Sequence, residues 1–103
     1  MSFEEALKHL KNGYTLFRKG WKTTRSFVYL VNSTKVNYEN LRGEAARHLQ
    51  ADDHMNKGRR AKINGHIDMK CDDGTILVGW TPTQVDLLSE DWEVVDSRSG
   101  SKW

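Results

Sequence analysis

The chain has 103 residues, 37% of them apolar and 29% charged, and its 16 basic and 14 acidic side chains leave a net charge of +2. That length holds one core of ordinary domain size and excludes a second. The apolar share is too high for a disordered chain, and so small a positive excess argues against a dedicated duplex-DNA binder, which carries a strongly basic face.

No apolar run approaches the ~20 residues of a membrane-spanning helix. The acidic, helix-like start at residues 1–5 does not read as a signal peptide. A lone cysteine, Cys71, leaves no internal disulfide framework and fits a reducing cytosol. Four tryptophans are the unusual part of the composition. A domain this small buries only about 60–65% of its unfolded surface, so some of these indoles are expected at a pocket or a subunit interface.

In chain order, Ser2 and Glu5 have capping-box spacing and Phe3, Leu7 and Leu10 share one helical face, which predicts a helix ended by Asn12-Gly13. Residues 14–17 read as a short strand and 26–31, β-branched and aromatic throughout, as the clearest one. Leu41, Ala45 and Leu49 recur at helical spacing, so a short helix is expected over 39–50, weakened by Gly43. Residues 51–62 are charged and poor in apolar side chains and read as an exposed loop.

Residues 64–80 read as a hairpin: Ile67, Met69 and Cys71 alternate with Asp68 and Lys70, Asp73-Gly74 is a strong turn signal, and 75–80 returns as the second strand. Thr81 and Gln84 then repeat the capping box, with Pro82 at the first helical position, and Val85 and Leu88 supply the apolar face of a short helix. Residues 92–95 form a last strand, and the polar tail 96–103 is expected to be disordered. These elements predict an α+β fold: a small single domain over 3–95 with an N-terminal helix, an antiparallel sheet and a short second helix.

No nucleotide-loop, nucleophile-elbow or metalloprotease signature appears. His9, His48, His54 and His66 do not pair with one another or with Cys71 at metal-ligand spacing, so neither a metal nor a cofactor is expected. His66 and Asp68 share a strand face and read as a solvated cross-strand pair. Cys71 reads as a core thiol. Residues 57–62 place four positive charges in six positions, which reads as a phosphate-binding loop, a nucleic-acid patch or a solvated loop; with no aromatic in the run to stack bases, the solvated loop is favoured over general nucleic-acid binding.

Arg18-Lys19-Gly20-Trp21 sets two cations and an indole around a glycine that admits a ligand to the backbone. The ring stacks and the fork binds an oxyanion, although a core tryptophan beside a surface arginine is an equal reading of the same residues. Trp80 precedes the predicted helix start, a natural anion site, and is equally well a core residue. Asp91-Trp92 reads as packing plus a turn carboxylate.

The ordered series Phe3-Glu4-Glu5-Ala6-Leu7, Gly13, Arg18-Lys19-Gly20-Trp21, Lys35-Val36-Asn37 and Leu41, then His66-Ile67-Asp68-Met69-Lys70, Asp73-Gly74, Gly79-Trp80-Thr81-Pro82, Gln84, Asp86-Leu87-Leu88 and Glu90-Asp91-Trp92-Glu93-Val94-Val95, resembles the Thoeris anti-defence family of the second kind over residues 3–95. Two features differ from many relatives: Lys22-Thr23 stand where Asn-Gly is common, and the middle segment 42–64 is built differently.

The resemblance implies a phage or prophage sponge. Such a protein binds cyclic ADP-ribose isomers of Thoeris signalling, glycocyclic ADP-ribose among them, without cleaving them. Some members also hold cyclic oligonucleotides of the related CBASS defence. It implies a homotetramer with pockets between protomers, working in the cytoplasm of the infected bacterium. On that basis Arg18 is expected to pair with a phosphate, Trp21 and Trp80 to wall the ligand, and Thr81, Gln84 and Asp86 to bond base or ribose. The alternatives are a nucleotide-signal hydrolase using His66, Asp68 or Asp86, and a phage protein-interaction module with no ligand.

Overall fold

The computed structural model describes residues 1–22, 25–49 and 59–95. The expected disordered tail and most of the expected loop lie outside them. The chain forms two compact units, one of Met1–Val31 together with the chain from His66, the other Asn32–Gly65.

The first unit is α+β. Helix α1 (Phe3–Lys11) is capped by Ser2, whose hydroxyl accepts from the Glu5 amide. It stops at Asn12, beyond which Gly13 takes φ +92°, a left-handed conformation that favours glycine. Five antiparallel strands follow: β1 (Leu16–Arg18), β2 (Phe27–Val31), β5 (His66–Lys70), β6 (Ile76–Leu77) and β7 (Trp92–Val94), in spatial order β6-β5-β2-β1-β7.

Leu16 faces Val28 and Val94, and Val28 faces Met69. Residues directly opposite share a face, so one side of the sheet is apolar. Helix α1 covers it with Ala6 and Leu10, and these two with Leu16, Val28 and Trp92 are fully buried. Each buried leucine or valine contributes about 1.5–3 kcal/mol relative to exposure. The same register sets Arg18 opposite Trp92 and two residues from Leu16, so the arginine projects from the core face of the sheet.

The hairpin after β5 turns at Asp73-Gly74 as expected, but its return is shorter. Only Ile76–Leu77 pairs, because Val78 and Gly79 form a turn in which Gly79 has φ +77°. Helix α3 (Gln84–Leu88) also differs from expectation. Its cap is Thr83, and the capping box joins Thr83 to Asp86; Thr81, Pro82 and Gln84 do not form it. Moving the start by two residues rotates the helix. Asp86 is buried, whereas Val85 and Leu88, the expected apolar face, are 65% and 79% exposed.

The second unit pairs β3 (Thr34–Asn37) with β4 (Arg60–Ile63) in antiparallel register. The end of the segment read as an exposed loop is therefore strand. The helix expected over 39–50 is divided into a 3-10 turn at Tyr38–Asn40 and α2 (Gly43–Leu49), with Gly43 at its start. Among the described residues, no helix is long and apolar enough to cross a membrane.

A candidate ligand site built on an aromatic cluster

Three indoles meet edge to face in the first unit. The Trp21 and Trp92 ring centroids are 5.4 Å apart at 80°, and Trp80 stands 6.2 Å from each at 74°. This arrangement sets the positive edge of one ring against the negative face of the next. Trp92 is fully buried, with its Nε1–H on the Asp86 carbonyl at 2.9 Å. Trp21 and Trp80 pack against the core while remaining partly open to solvent.

Beside them lies a charged knot. Arg18 donates from Nη1 to Asp86 Oδ1 at 2.7 Å, from Nε to Asp91 Oδ1 at 2.8 Å and from Nη2 to Asp91 Oδ2 at 3.4 Å. Trp21 Nε1–H reaches Asp86 Oδ1 at 3.2 Å. The second Asp86 oxygen accepts from the Thr83 amide at 2.9 Å, and the Thr83 hydroxyl accepts from the Asp86 amide at 3.1 Å. One carboxylate thus completes the capping box of α3, pairs with Arg18 and orients Trp21. Nearly nine-tenths of the Arg18 side chain is buried, so these charged contacts are stronger than surface ones.

The pKa shifts follow from the contacts. Burial pushes Asp86 upward, but hydrogen bonds from Thr83, Arg18 and Trp21 outweigh it and hold the group below the usual carboxylate range. Asp91 is held down first by its hydrogen bond from Arg18, and Arg18 is raised chiefly by Asp91.

Gly20 has a different neighbour from the one expected. Its amide donates to Asp91 Oδ2 at 2.7 Å, and a Cβ added there would stand 2.7 Å from that oxygen and 3.0 Å from Arg18 Nη2. The close approach to the backbone is made by the protein's own carboxylate. Asp91, read from the sequence as a turn carboxylate, is the member of this candidate site that sequence reasoning did not assign to it. Its signal is an aspartate just ahead of a strand that pairs beside Arg18, and that pairing is a matter of register, which the local sequence does not encode.

Arg18, Trp21, Trp80 and Asp86 are therefore brought together. Thr81 and Gln84 are exposed at the approach to α3 and its first turn, and among the described residues their side chains make no hydrogen bond. His66 and Asp68 do share a face, at 3.5 Å, but the pair is not a solvated one: Asp68 is buried and accepts from the Gly79 amide at 3.0 Å. Cys71 is half-buried. An open hollow of about 230 Å³ is lined by Trp21, Lys22, Ser26 and Met69.

Residues 1–95 match the model of the Thoeris anti-defense 2-like domain. The chain belongs to the Thoeris anti-defense 2-like family. It is 33% identical, over 95 residues, to Thoeris anti-defense 2 of Bacillus phage SP01, an alignment covering 92% of this chain and 94% of the phage protein. The aromatic cluster and its charged knot lie wholly within the matched residues, and the role that family membership gives the chain is anti-defence.

Proposed function

We propose that the protein sequesters a cyclic ADP-ribose-type signal of Thoeris defence, glycocyclic ADP-ribose in the first instance, and does not cleave it. The observation that carries this reading is the cluster itself: a braced pair of partly open indoles, Trp21 and Trp80, with Trp21 bordering an open hollow. A ring system held rigid before binding loses little freedom on capture.

The carboxylates of the cluster support sequestration over hydrolysis. Asp86 and Asp91 are held below the usual range, ionised and already bonded, whereas a general acid or base works best with a pKa near the operating pH. In this reading Trp21 and Trp80 wall the ligand, and Thr81 and Gln84 bond its polar groups. Arg18 and Asp86 act by holding Trp21, because a phosphate reaching Arg18 must compete with two carboxylates.

The hollow is smaller than the ~300–1,000 Å³ of pockets that enclose a drug-sized ligand. That supports a site completed by a second copy, and with it the homotetramer the family resemblance implies. Exposed Ile76, Leu77, Val78, Val85 and Leu88 offer apolar surface for such an assembly. Cyclic oligonucleotides of CBASS are a second ligand class to screen, and the infected cell's cytoplasm is the place of action.

The test is to mix the protein with glycocyclic ADP-ribose, retain the protein on a filter, denature it and chromatograph the release. Intact ligand appearing only after denaturation supports sequestration. Linear ADP-ribose accumulating beyond one equivalent per site makes the protein a hydrolase. Ligand passing freely through the filter leaves the interaction-module reading in its place.

A further inference from the structure

We propose that one face of the β3–β4 ribbon is a binding site for a diphosphate group. The register sets Lys35 opposite Lys62 and Asn37 opposite Arg60. Because side chains alternate along a strand, these four share one face, and Val36 and Ala61 lie on the other. Lys35, Lys62 and Arg60 are exposed.

Like charges directly opposite each other disfavour a strand pair, and among the described residues no acidic side chain relieves them. Among the described residues, none of the three cations is in an ion pair. Arg60 instead donates from Nε to Asn37 Oδ1 at 3.2 Å, which holds the guanidinium over the ribbon and leaves both Nη groups unclaimed among the described residues. The charge of the chain is also unevenly divided. Residues 32–65 carry seven basic and four acidic side chains, an excess of +3, while the remainder, nine basic and ten acidic, stands at −1.

The geometry selects two linked phosphates over a single anion. The Lys35/Lys62 rung and the Asn37/Arg60 rung are two residues apart, about 6.6–6.8 Å along the strand. A lone carboxylate or sulfate engages one rung. A diphosphate presents oxygens to both, meeting two ammonium groups on one phosphate and the planar guanidinium fork on the other.

This ribbon shares no residue with the aromatic cluster, so the two readings stand or fall separately. The experiment is a titration of the full-length, 15N-labelled protein with sodium pyrophosphate, against sodium sulfate at matched ionic strength. Saturating amide shifts confined to residues around Lys35, Asn37, Arg60 and Lys62 are expected with pyrophosphate. Lys62→Glu should weaken the affinity about tenfold or more, the scale of one lost charge-assisted contact, and Lys62→Gln should weaken it less. Lys8→Glu, the same charge change on the exposed side of α1, should alter it by no more than about twofold. Equal shifts with sulfate, or equal losses in Lys8→Glu and Lys62→Glu, overturn the proposal. So does binding of a short oligothymidine without any response to pyrophosphate.

Discussion

Trp21 and Arg18 donate to the same oxygen of Asp86, at 3.2 and 2.7 Å, so the position of an indole and the pairing of a guanidinium are set by one buried carboxylate. Removing that carboxylate frees the Trp21 indole N–H, leaves Arg18 to Asp91 alone and takes away the side-chain half of the α3 capping box that Asp86 supplies.

Asp86→Ala is therefore expected to destabilise the protein by about 3 kcal/mol. This is the low end for a broken buried pair, because Asp91 still faces Arg18. Asp91→Ala, on a more exposed partner, should cost less. Urea denaturation of the two variants beside the parent checks the order, and an Asp86→Ala protein as stable as the parent would refute the bracing role.

Gly20→Ala is expected to cost about 1–3 kcal/mol, as overpacking does. Its Cβ meets Asp91 Oδ2 at 2.7 Å, and either the carboxylate or the turn has to move. Thermal unfolding of Gly20→Ala in the Asp91→Ala background separates the causes: with the carboxylate gone, the penalty should largely vanish.

Acid should unfold the protein through Asp86 and Asp91. Both have folded pKa values below their ordinary ones, so between those values the unfolded chain binds more protons and stability rises with pH. Their contribution is complete above the ordinary carboxylate value of about 3.9 and disappears as pH falls through the depressed folded values. Urea midpoints measured from pH 6 down to pH 2 should fall more gently in Asp86→Asn/Asp91→Asn than in the parent.

Trp21→Ala should weaken ligand binding roughly ten- to hundred-fold, the worth of one stacking ring. Calorimetry with glycocyclic ADP-ribose gives the affinity, and circular dichroism on the same sample reports the fold. Loss of the fold would assign Trp21 to the core alone.

Light scattering at micromolar concentration should give a mass well above the 11.9 kDa of one chain. Val85→Ser/Leu88→Ser, which removes two exposed apolar side chains of α3 without touching Asp86, should shift the mass downward. A parent protein already at one chain's mass removes the oligomer from the proposal.

The outline of the fold was legible because its signals are local. Ser2 and Asn12-Gly13 bound α1, the β-branched run marks β2, and Asp73-Gly74 marks the turn after β5. The misreadings came where two local signals compete. Thr81/Gln84 and Thr83/Asp86 both have capping spacing, and the second prevails where Asp86 also meets Arg18 and Trp21 across the fold. Only that tertiary pairing makes a buried aspartate tolerable, and it turns Val85 and Leu88 outward. The β3–β4 ribbon was hidden for a related reason: Arg60 and Lys62 belong to a charged run that reads as a loop, while the backbone pairing that sets them opposite Asn37 and Lys35 joins residues far apart in sequence. For the aromatic cluster, tryptophan and arginine types pointed to the place, but the partner Asp91 depended on the register of β1 with β7.

Val31 and His66 pair across β2 and β5, so residues 32–65 leave the sheet and return to it at facing positions. Topologically this is a hairpin with an outsized connection. Closing a longer flexible connection costs only about 0.6 kcal/mol per doubling of its length, and lengthening or trimming this one does not slide any strand. A wholesale exchange of 32–65 for an Asn-Gly turn should thus preserve the β2–β5 amide pairing seen by hydrogen exchange. The connection can change its size and chemistry while the segments that carry Trp21, Trp80 and Trp92 keep their alignment, which makes it the place in the chain best suited to carry grafts, tags and new specificities.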